Sequence, residues 1–110
     1  MANENCIRTF SGLEDALYVI GGKWRLKVVL ALFDGARRFN EIQRAVTGIS
    51  AKVLTDELRH LELNGFIKKS ATDTPAIIQY ELTDYSRTLR SVVHALHDWG
   101  MAHREKIMRH

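Results

Sequence analysis

Residues 40–65 read NEIQRAVTGISAKVLTDELRHLELNG, and this stretch decides the fold. Its second half repeats leucine at intervals of four and three residues, at Leu54, Leu58 and Leu61. That spacing is typical of one buried face of a helix. Ser50 precedes the repeat and is a common N-cap residue, because its hydroxyl can accept a hydrogen bond from a free backbone N–H. We therefore expect a helix that begins just after Ser50 and packs its leucines inward.

A shorter helix is expected immediately before this one. Over residues 40–46 the apolar side chains of Ile42 and Val46 share a face, and the three residues 47–49 that follow read Thr-Gly-Ile. Two helices joined by a short turn that contains glycine form a helix-turn-helix unit. The sequence therefore predicts such a unit at about residues 40–64.

The residues after this unit change from helical to alternating spacing. Two short strands are predicted over residues 66–71 and 76–82, with Ile78, Tyr80 and Leu82 on one face of the second strand. The hairpin that they form directly follows the longer helix, which is the position of the wing in a winged helix-turn-helix.

Further helices are predicted on both sides of the unit. They cover residues 11–20, where Ser11 and Glu14 have capping-box spacing, residues 23–34, and a long final stretch from residue 84. The order of elements predicts a mainly α (α+β) fold: a winged helix-turn-helix with a two-stranded wing and a long C-terminal helix.

Composition excludes several classes of protein. The chain has 110 residues, 45% of them hydrophobic, so a single domain over residues 1–110 is expected. No apolar run approaches the roughly 20 residues of a membrane span. One cysteine excludes an internal disulfide framework and a four-cysteine zinc site. With no signal sequence, these observations predict a cytoplasmic protein.

The basic charge is concentrated near the helix-turn-helix unit. The net charge is only +3, but residues 37–69 hold seven basic and four acidic side chains, a surplus equal to that of the whole chain. With the leucines inward, Lys52, Thr55 and Arg59 lie outward along one line of the longer helix. A helix fits the DNA major groove, where cations donate to guanine or phosphate. The alternative is an ordinary solvated helix face; the turn, the hairpin and the charge favour DNA binding.

Several strings of the sequence resemble one known family. In order they are Gly21-Gly22-Lys23-Trp24, Arg38-Phe39-Asn40-Glu41-Ile42, Gly48-Ile49-Ser50-Ala51-Lys52-Val53-Leu54-Thr55, the stretch 58–65, and Tyr80-Glu81-Leu82-Thr83. Together they resemble the HxlR-type transcription regulators, bacterial winged-helix proteins related to the MarR group, over the chain from Cys6 to Gly100. The resemblance implies a homodimer that binds operator DNA, with the dimer built from the first and last helices.

The resemblance also assigns roles to residues by their position. The implied DNA contacts are Arg38, Ser50, Lys52, Thr55, Arg59, Lys68 and Lys69. The implied dimer interface holds Leu13, Leu17, Leu89, Val92, Leu96 and Trp99. The corresponding parts are the helix-turn-helix at about 40–64, the wing at about 66–82 and dimerisation helices at about 11–20 and 84–108.

The chain departs from the family pattern mainly in the wing. It has Thr74-Pro75-Ala76-Ile77 where members often have Pro-Pro-Arg, and its tip carries Asp73 and no cation. Ser86 stands in place of a common glycine, and Ile7 in place of a proline. A minor-groove contact by the wing tip is therefore not predicted for this chain.

The resemblance further implies an effector. Some HxlR-type regulators use a cysteine just before the first helix as a thiol sensor, and Cys6 stands at that position. A small-molecule or oxidant effector is therefore implied, with Cys6 as the candidate sensor; the alternative is an inert thiol packed beneath the helix.

Other chemistry finds little support in the sequence. His94 and Asp98 have the four-residue spacing of a metal-ligand pair, but no third ligand is nominated, so no metal is predicted. No cofactor motif or catalytic constellation is present either, so an enzyme is not expected. The second hypothesis is a winged-helix protein-interaction module that uses its basic face for an acidic partner.

Overall fold

The computed structural model describes residues 4–71 and 77–109, with side chains from Arg8 onward. The predicted wing tip at residues 72–76 and the side chain of Cys6 lie outside the described part. The helices and strands, in chain order, are α1 (Glu4–Ile20), α2 (Arg25–Ala31), α3 (Phe39–Ala45), α4 (Ala51–Leu63), β1 (Ile67–Ala71), β2 (Ile78–Leu82) and α5 (Arg90–Met108), with a short 3-10 helix (Tyr85–Leu89) before α5. This is the expected mainly helical, winged helix-turn-helix fold.

The hydrophobic core lies among α2, α3 and α4. The leucine repeat of α4 packs inward as predicted, since Leu54, Leu58 and Leu61 are at most 3% exposed. Burying each such side chain stabilises the fold by about 1.5–3 kcal/mol. The other buried apolar side chains are Val28, Val29, Leu32, Ile42, Val46, Ile49, Phe66, Ile67, Leu82 and Leu89.

The wing is a two-stranded antiparallel sheet that is fixed to the start of α3. β1 pairs with β2 in a register that places Ile67 opposite Leu82. The backbone of Arg37 adds a third, one-residue strand: its N–H donates to the carbonyl of Tyr80 (2.9 Å), and its carbonyl accepts from the N–H of Tyr80 (2.7 Å). A single bridging residue has no periodic pattern, so the sequence did not predict it.

In α1 and α2, two helix boundaries differ from the prediction by three residues or more. α1 begins at Glu4 rather than at residue 11, so Ser11 lies inside the helix and does not cap it. Residues 4–10 contain no proline or glycine that would interrupt the helical hydrogen bonds. α2 ends at Ala31 rather than at residue 34, because the following N–H groups bond three residues back instead of four.

The C-terminal segment also differs, because it opens with the 3-10 helix before α5 begins. The hydroxyl of Thr83 accepts from the N–H of Ser86 (3.4 Å) and donates to the carbonyl of Gly65 (2.6 Å). Side chains three apart eclipse in a 3-10 helix, so Ser86 and Leu89 both face the core and are buried. A membrane-spanning segment is not found among the described helices.

Candidate nucleic-acid interface

The N-terminal end of α4 is fixed by a cap. The hydroxyl of Ser50 accepts a hydrogen bond from the backbone N–H of Val53 (3.1 Å), which satisfies one of the free donors of the first turn. Ser50 is exposed, and the hydrogen of its hydroxyl remains available to an acceptor outside the protein. Ser50 is therefore a structural cap, and its hydroxyl hydrogen and second lone pair are what remain for a contact with DNA.

The face of α4 opposite the leucine repeat is exposed. It carries Lys52, Thr55 and Arg59, as the sequence predicted. The hydroxyl of Thr55 donates to the carbonyl of Ala51 (2.8 Å), so its hydrogen is used within the helix. Its lone pairs and methyl group remain outward, so Thr55 can accept from a base or contact a thymine methyl but has no hydrogen left to donate.

The cations of α4 and those of the wing differ in their partners. In the part of the chain that the structure describes, neither Lys52 nor Arg59 makes an ion pair. In the wing, the Nζ of Lys68 lies 3.4 Å from a carboxylate oxygen of Glu81, and the Nζ of Lys69 lies 3.9 Å from one of Glu62. Within the described residues, the cations of α4 are therefore unpaired and those of the wing are paired, although the exposed carboxylate of Asp56 lies on the same side of α4.

A cavity joins the exposed face of α4 to the wing and brings several predicted residues together. Thr55 and Arg59 line it from α4, and Lys69 and Tyr80 line it from the two strands. Glu62 also lines it and contributes a negative charge. Lys52 and Ser50 lie outside this cavity, at the N-terminal end of α4.

Arg38 immediately precedes α3, as expected. Glu41, in the first turn of α3, accepts a hydrogen bond from the backbone of Arg38. The carboxylate of Glu41 accepts from the backbone N–H of Arg38 (2.7 Å) and lies 3.5 Å from its guanidinium Nε. The backbone hydrogen bond, with the nearby guanidinium, lowers the pKa of the Glu41 carboxyl. The adjacent Arg37 is structural, because its Nε donates to the carbonyl of Ala31 (2.7 Å).

The predicted dimer residues separate into two groups. Leu89 is buried in the core of its own protomer, so its assignment to the dimer interface is wrong. The others are exposed on α1 and α5, and Trp99 is 68% exposed. Phe10 and Tyr18 of α1 are exposed as well, and neither was predicted from the sequence. The spacing of Phe10 to Leu13 and Leu17 could have identified the first of them.

No candidate metal site is found among the described residues. Among them, no group of three or more His, Cys, Asp or Glu side chains could hold an ion. The Nδ1 of His97 lies 3.4 Å from a carboxylate oxygen of Asp98, and both side chains are exposed. Cys6 belongs to α1 by its backbone, and its thiol is not among the described groups.

Known proteins match the chain over most of its length. The model of the HxlR-like helix-turn-helix family matches residues 19–108. The uncharacterized HTH-type transcriptional regulator YdeP of Bacillus subtilis strain 168 is 36% identical over 96 residues, which are 86% of this chain and 75% of YdeP. A second such regulator of that strain, YybR, is 36% identical over 94 residues, 84% of this chain and 75% of YybR.

Solved structures agree with this assignment. The redox regulator HypR in its reduced form superposes with a TM-score of 0.80 at 34% identity, covering 90% of this chain and 99% of HypR. The reduced form of the transcriptional regulator YodB from B. subtilis superposes with a TM-score of 0.73 at 30% identity, covering 80% of this chain and 87% of YodB. On the family match and on these relatives, the chain belongs to the HxlR-like helix-turn-helix family of transcriptional regulators.

Proposed function

We propose that this chain is a homodimeric transcriptional regulator that binds double-stranded DNA and places α4 in the major groove of each half of a pseudo-palindromic operator. The observation that carries the proposal is the outer face of α4. Lys52 and Arg59 are exposed there on either side of Thr55, and both lack an ion pair within the described residues. Base edges and phosphates are the partners that suit unpaired cations on such a helix.

The wing and the start of α3 supply the proposed phosphate contacts. Lys68, Lys69 and Arg38 each lie near a carboxylate, but these ion pairs are exposed and therefore weak. A DNA phosphate can replace the carboxylate as the partner. Such contacts add affinity and salt dependence without selecting a sequence.

We propose that a second copy of the chain packs against the apolar faces of α1 and α5. Leu13 and Leu17 of α1 are more than half exposed, as are Leu96 and Trp99 of α5. Exposed apolar groups in such number mark an interaction surface. A two-fold dimer also presents α4 twice, which matches the symmetry of a pseudo-palindromic site.

Cys6 is the proposed oxidant sensor, with support from the similarity to the redox regulator HypR. Because the chain has one cysteine, any disulfide must join the Cys6 thiols of two subunits or join Cys6 to a small thiol; the oxidant takes up the two electrons and two protons released. Treatment with diamide is expected to reduce DNA binding, with recovery in dithiothreitol. Cys6→Ser should bind DNA and ignore diamide, and equal sensitivity of this variant would contradict the role.

Selection from a random pool of DNA duplexes, at near-physiological salt with reductant present, tests the proposed function. Enrichment of an inverted repeat with half-sites about one helical turn apart is the expected result. Weak binding that disappears with added salt, without any enriched sequence, would contradict it. An acidic protein partner would then become the better hypothesis.

A further inference from the structure

The C-terminal end of α1 is held by one arginine of the next helix. The Nη1 of Arg25 donates to the backbone carbonyls of Tyr18 (2.9 Å) and Val19 (3.4 Å). These are among the last carbonyls of α1, which have no hydrogen-bond partner within the helix. The guanidinium also places a positive charge at the negative end of the helix dipole. The last turn of α1 is therefore fixed by a charge-assisted contact.

The same guanidinium reaches α4. Its Nε donates to a carboxylate oxygen of Glu57 at 3.0 Å, and the two side chains are only 24% and 20% exposed. Solvent and salt therefore screen this ion pair less than the exposed pairs of the wing. One turn further along α4, the Nε2 of His60 lies 3.3 Å from the carbonyl of Val19. Two residues of α4 thus contact the end of α1, directly or through Arg25.

These contacts occupy a face of α4 of their own. At 3.6 residues per turn, Glu57 and His60 share one side of the helix, between the buried leucines and the exposed line of Lys52 and Arg59. By contrast, the side chains of α1 from Arg8 to Tyr18 are exposed. Within the protomer, α1 is therefore attached through its last turn, where Val19 and Ile20 pack on the core.

We propose that Arg25 and Glu57 are positioning residues for DNA recognition, through which a displacement of α1 is transmitted to α4. This inference rests on the proposed function and adds a route of regulation to it. A partner or a modification that turns α1 pulls on the Arg25 guanidinium, and the ion pair carries that change to Glu57, on the helix that reads DNA. Neither residue belongs to the exposed face of α4, so their effect on DNA passes through the placement of the helix.

The test compares Arg25→Gln with a matched control, Arg109→Gln. Arg109 follows the last residue of α5 and pairs with Glu105 of that helix, so the control removes an arginine–glutamate ion pair that joins no two helices. Each variant is measured for affinity to the selected operator and to a random duplex of equal length at the same salt. We expect Arg25→Gln to lower the ratio of the two affinities about tenfold, the size of one lost charge-assisted hydrogen bond. Arg109→Gln should leave this ratio unchanged.

A double variant that exchanges the charges of Arg25 and Glu57 distinguishes a link to α1 from an ion pair that joins only α2 and α4. The double variant Arg25→Glu with Glu57→Arg restores opposite charges but places a carboxylate against the carbonyls of Tyr18 and Val19. We expect no recovery of the affinity ratio, with faster amide hydrogen exchange in the last turn of α1. Full recovery would overturn the link to α1, because an ion pair between α2 and α4 would then suffice.

Thermal unfolding of every variant serves as the control that each one is folded. If Arg25→Gln does not fold, Glu57→Gln replaces it, since its amide oxygen can still accept from the guanidinium, and a threefold or larger fall in the ratio is expected. A wild-type chain that prefers no sequence would overturn the proposed function and this inference with it. A wild-type chain that selects an operator, with variants that select it equally well, would overturn only the inference.

Discussion

α4 and α5 are both amphipathic helices, yet they differ in where their apolar faces lie. α4 buries Leu54, Leu58 and Leu61 in the protomer, and its polar face is left outward. α5 has no buried residue, although Val92, Leu96 and Trp99 follow the same spacing of three and four residues. The apolar stripe of one helix stabilises the monomer, whereas that of the other remains open to a partner.

This difference shows what an apolar repeat can and cannot indicate. The spacing identifies the face of a helix that avoids water, but it does not say whether the same chain or a second copy covers that face. In this protein the neighbouring elements determine whether the apolar face of a helix is covered within the same chain. α4 lies between α2, α3 and the wing, and α5 extends from a single 3-10 turn.

The largest effect is expected in the apolar face of α4. Leu58→Ala removes buried contacts and leaves a cavity, so we expect the free energy of unfolding to fall by about 2–5 kcal/mol in urea titrations. Leu63→Ala is the matched control, because Leu63 belongs to the same helix and is 81% exposed. Equal losses in the two variants would contradict the assignment of the faces.

The apolar face of α5 should instead affect assembly. Leu96→Ala is expected to weaken the dimer by about 2 kcal/mol, or roughly thirtyfold in its dissociation constant, because each dimer loses two buried side chains. Sedimentation velocity over a dilution series measures this change. Helical content by circular dichroism should stay the same. His97→Ala is the control, because His97 is an exposed polar residue of α5. An unchanged dissociation constant in Leu96→Ala would contradict a dimer interface that includes α5.

The polar face of α4 should affect the choice of DNA sequence. Arg59→Ala is expected to lose about 1–3 kcal/mol of discrimination at one base pair of each half-site, measured with operators mutated at single positions. Arg104→Ala, an exposed arginine of α5, is the control. If the loss in Arg59→Ala is equal on all sequences, Arg59 contacts a phosphate rather than a base.

The wing should affect affinity without affecting sequence choice. Lys68→Ala is expected to weaken binding to operator and random duplex alike, and to reduce the slope of log affinity against log salt by about 2, since each dimer loses two phosphate contacts. Binding titrations at several salt concentrations measure the slope. A change of sequence preference in this variant would mean that the wing reads bases.

The smallest effect is expected outside both helices, at Glu41. Its folded-state pKa lies below the ordinary value of 4.5, chiefly because of the hydrogen bond from the Arg38 N–H. The carboxylate therefore stabilises the fold above pH 4.5, and this contribution is lost as the pH falls through the lowered pKa. Unfolding of wild type and Glu41→Gln should differ at neutral pH and converge in acid. A difference that grows in acid would contradict this sign.

Much of the fold could be predicted from local sequence, whereas the polar links could not. The leucine repeat, the Ser50 cap and the alternation of the strands are short-range signals, and α4 and the wing were predicted from them. Ile78, Tyr80 and Leu82 were predicted to share one face of β2, but Ile78 is exposed because it lies at the outer end of the hairpin, beyond the core. Arg25 and Glu57 are 32 residues apart, and no periodic pattern relates such residues before the chain has folded.

The candidate DNA-binding face was predictable for the same reason, since Lys52, Thr55 and Arg59 follow from the position of the leucines. The sequence could not show which hydroxyl hydrogens remain free. Thr55 donates within its own helix, and this depends on its side-chain torsion rather than on spacing. The burial of Leu89 was missed because the 3-10 turn changes the period of the segment from 3.6 to 3.

Methylation interference on the selected operator tests the central claim most directly, because it reports which groove α4 enters. The N7 of guanine lies in the major groove, and the N3 of adenine lies in the minor groove. The account predicts that methylation at N7 blocks binding at guanines in both half-sites, and that interference at one guanine of each half-site is lost in Arg59→Ala. Interference confined to N3 of adenine, or to one half-site, would contradict a dimer that reads DNA with α4 in the major groove.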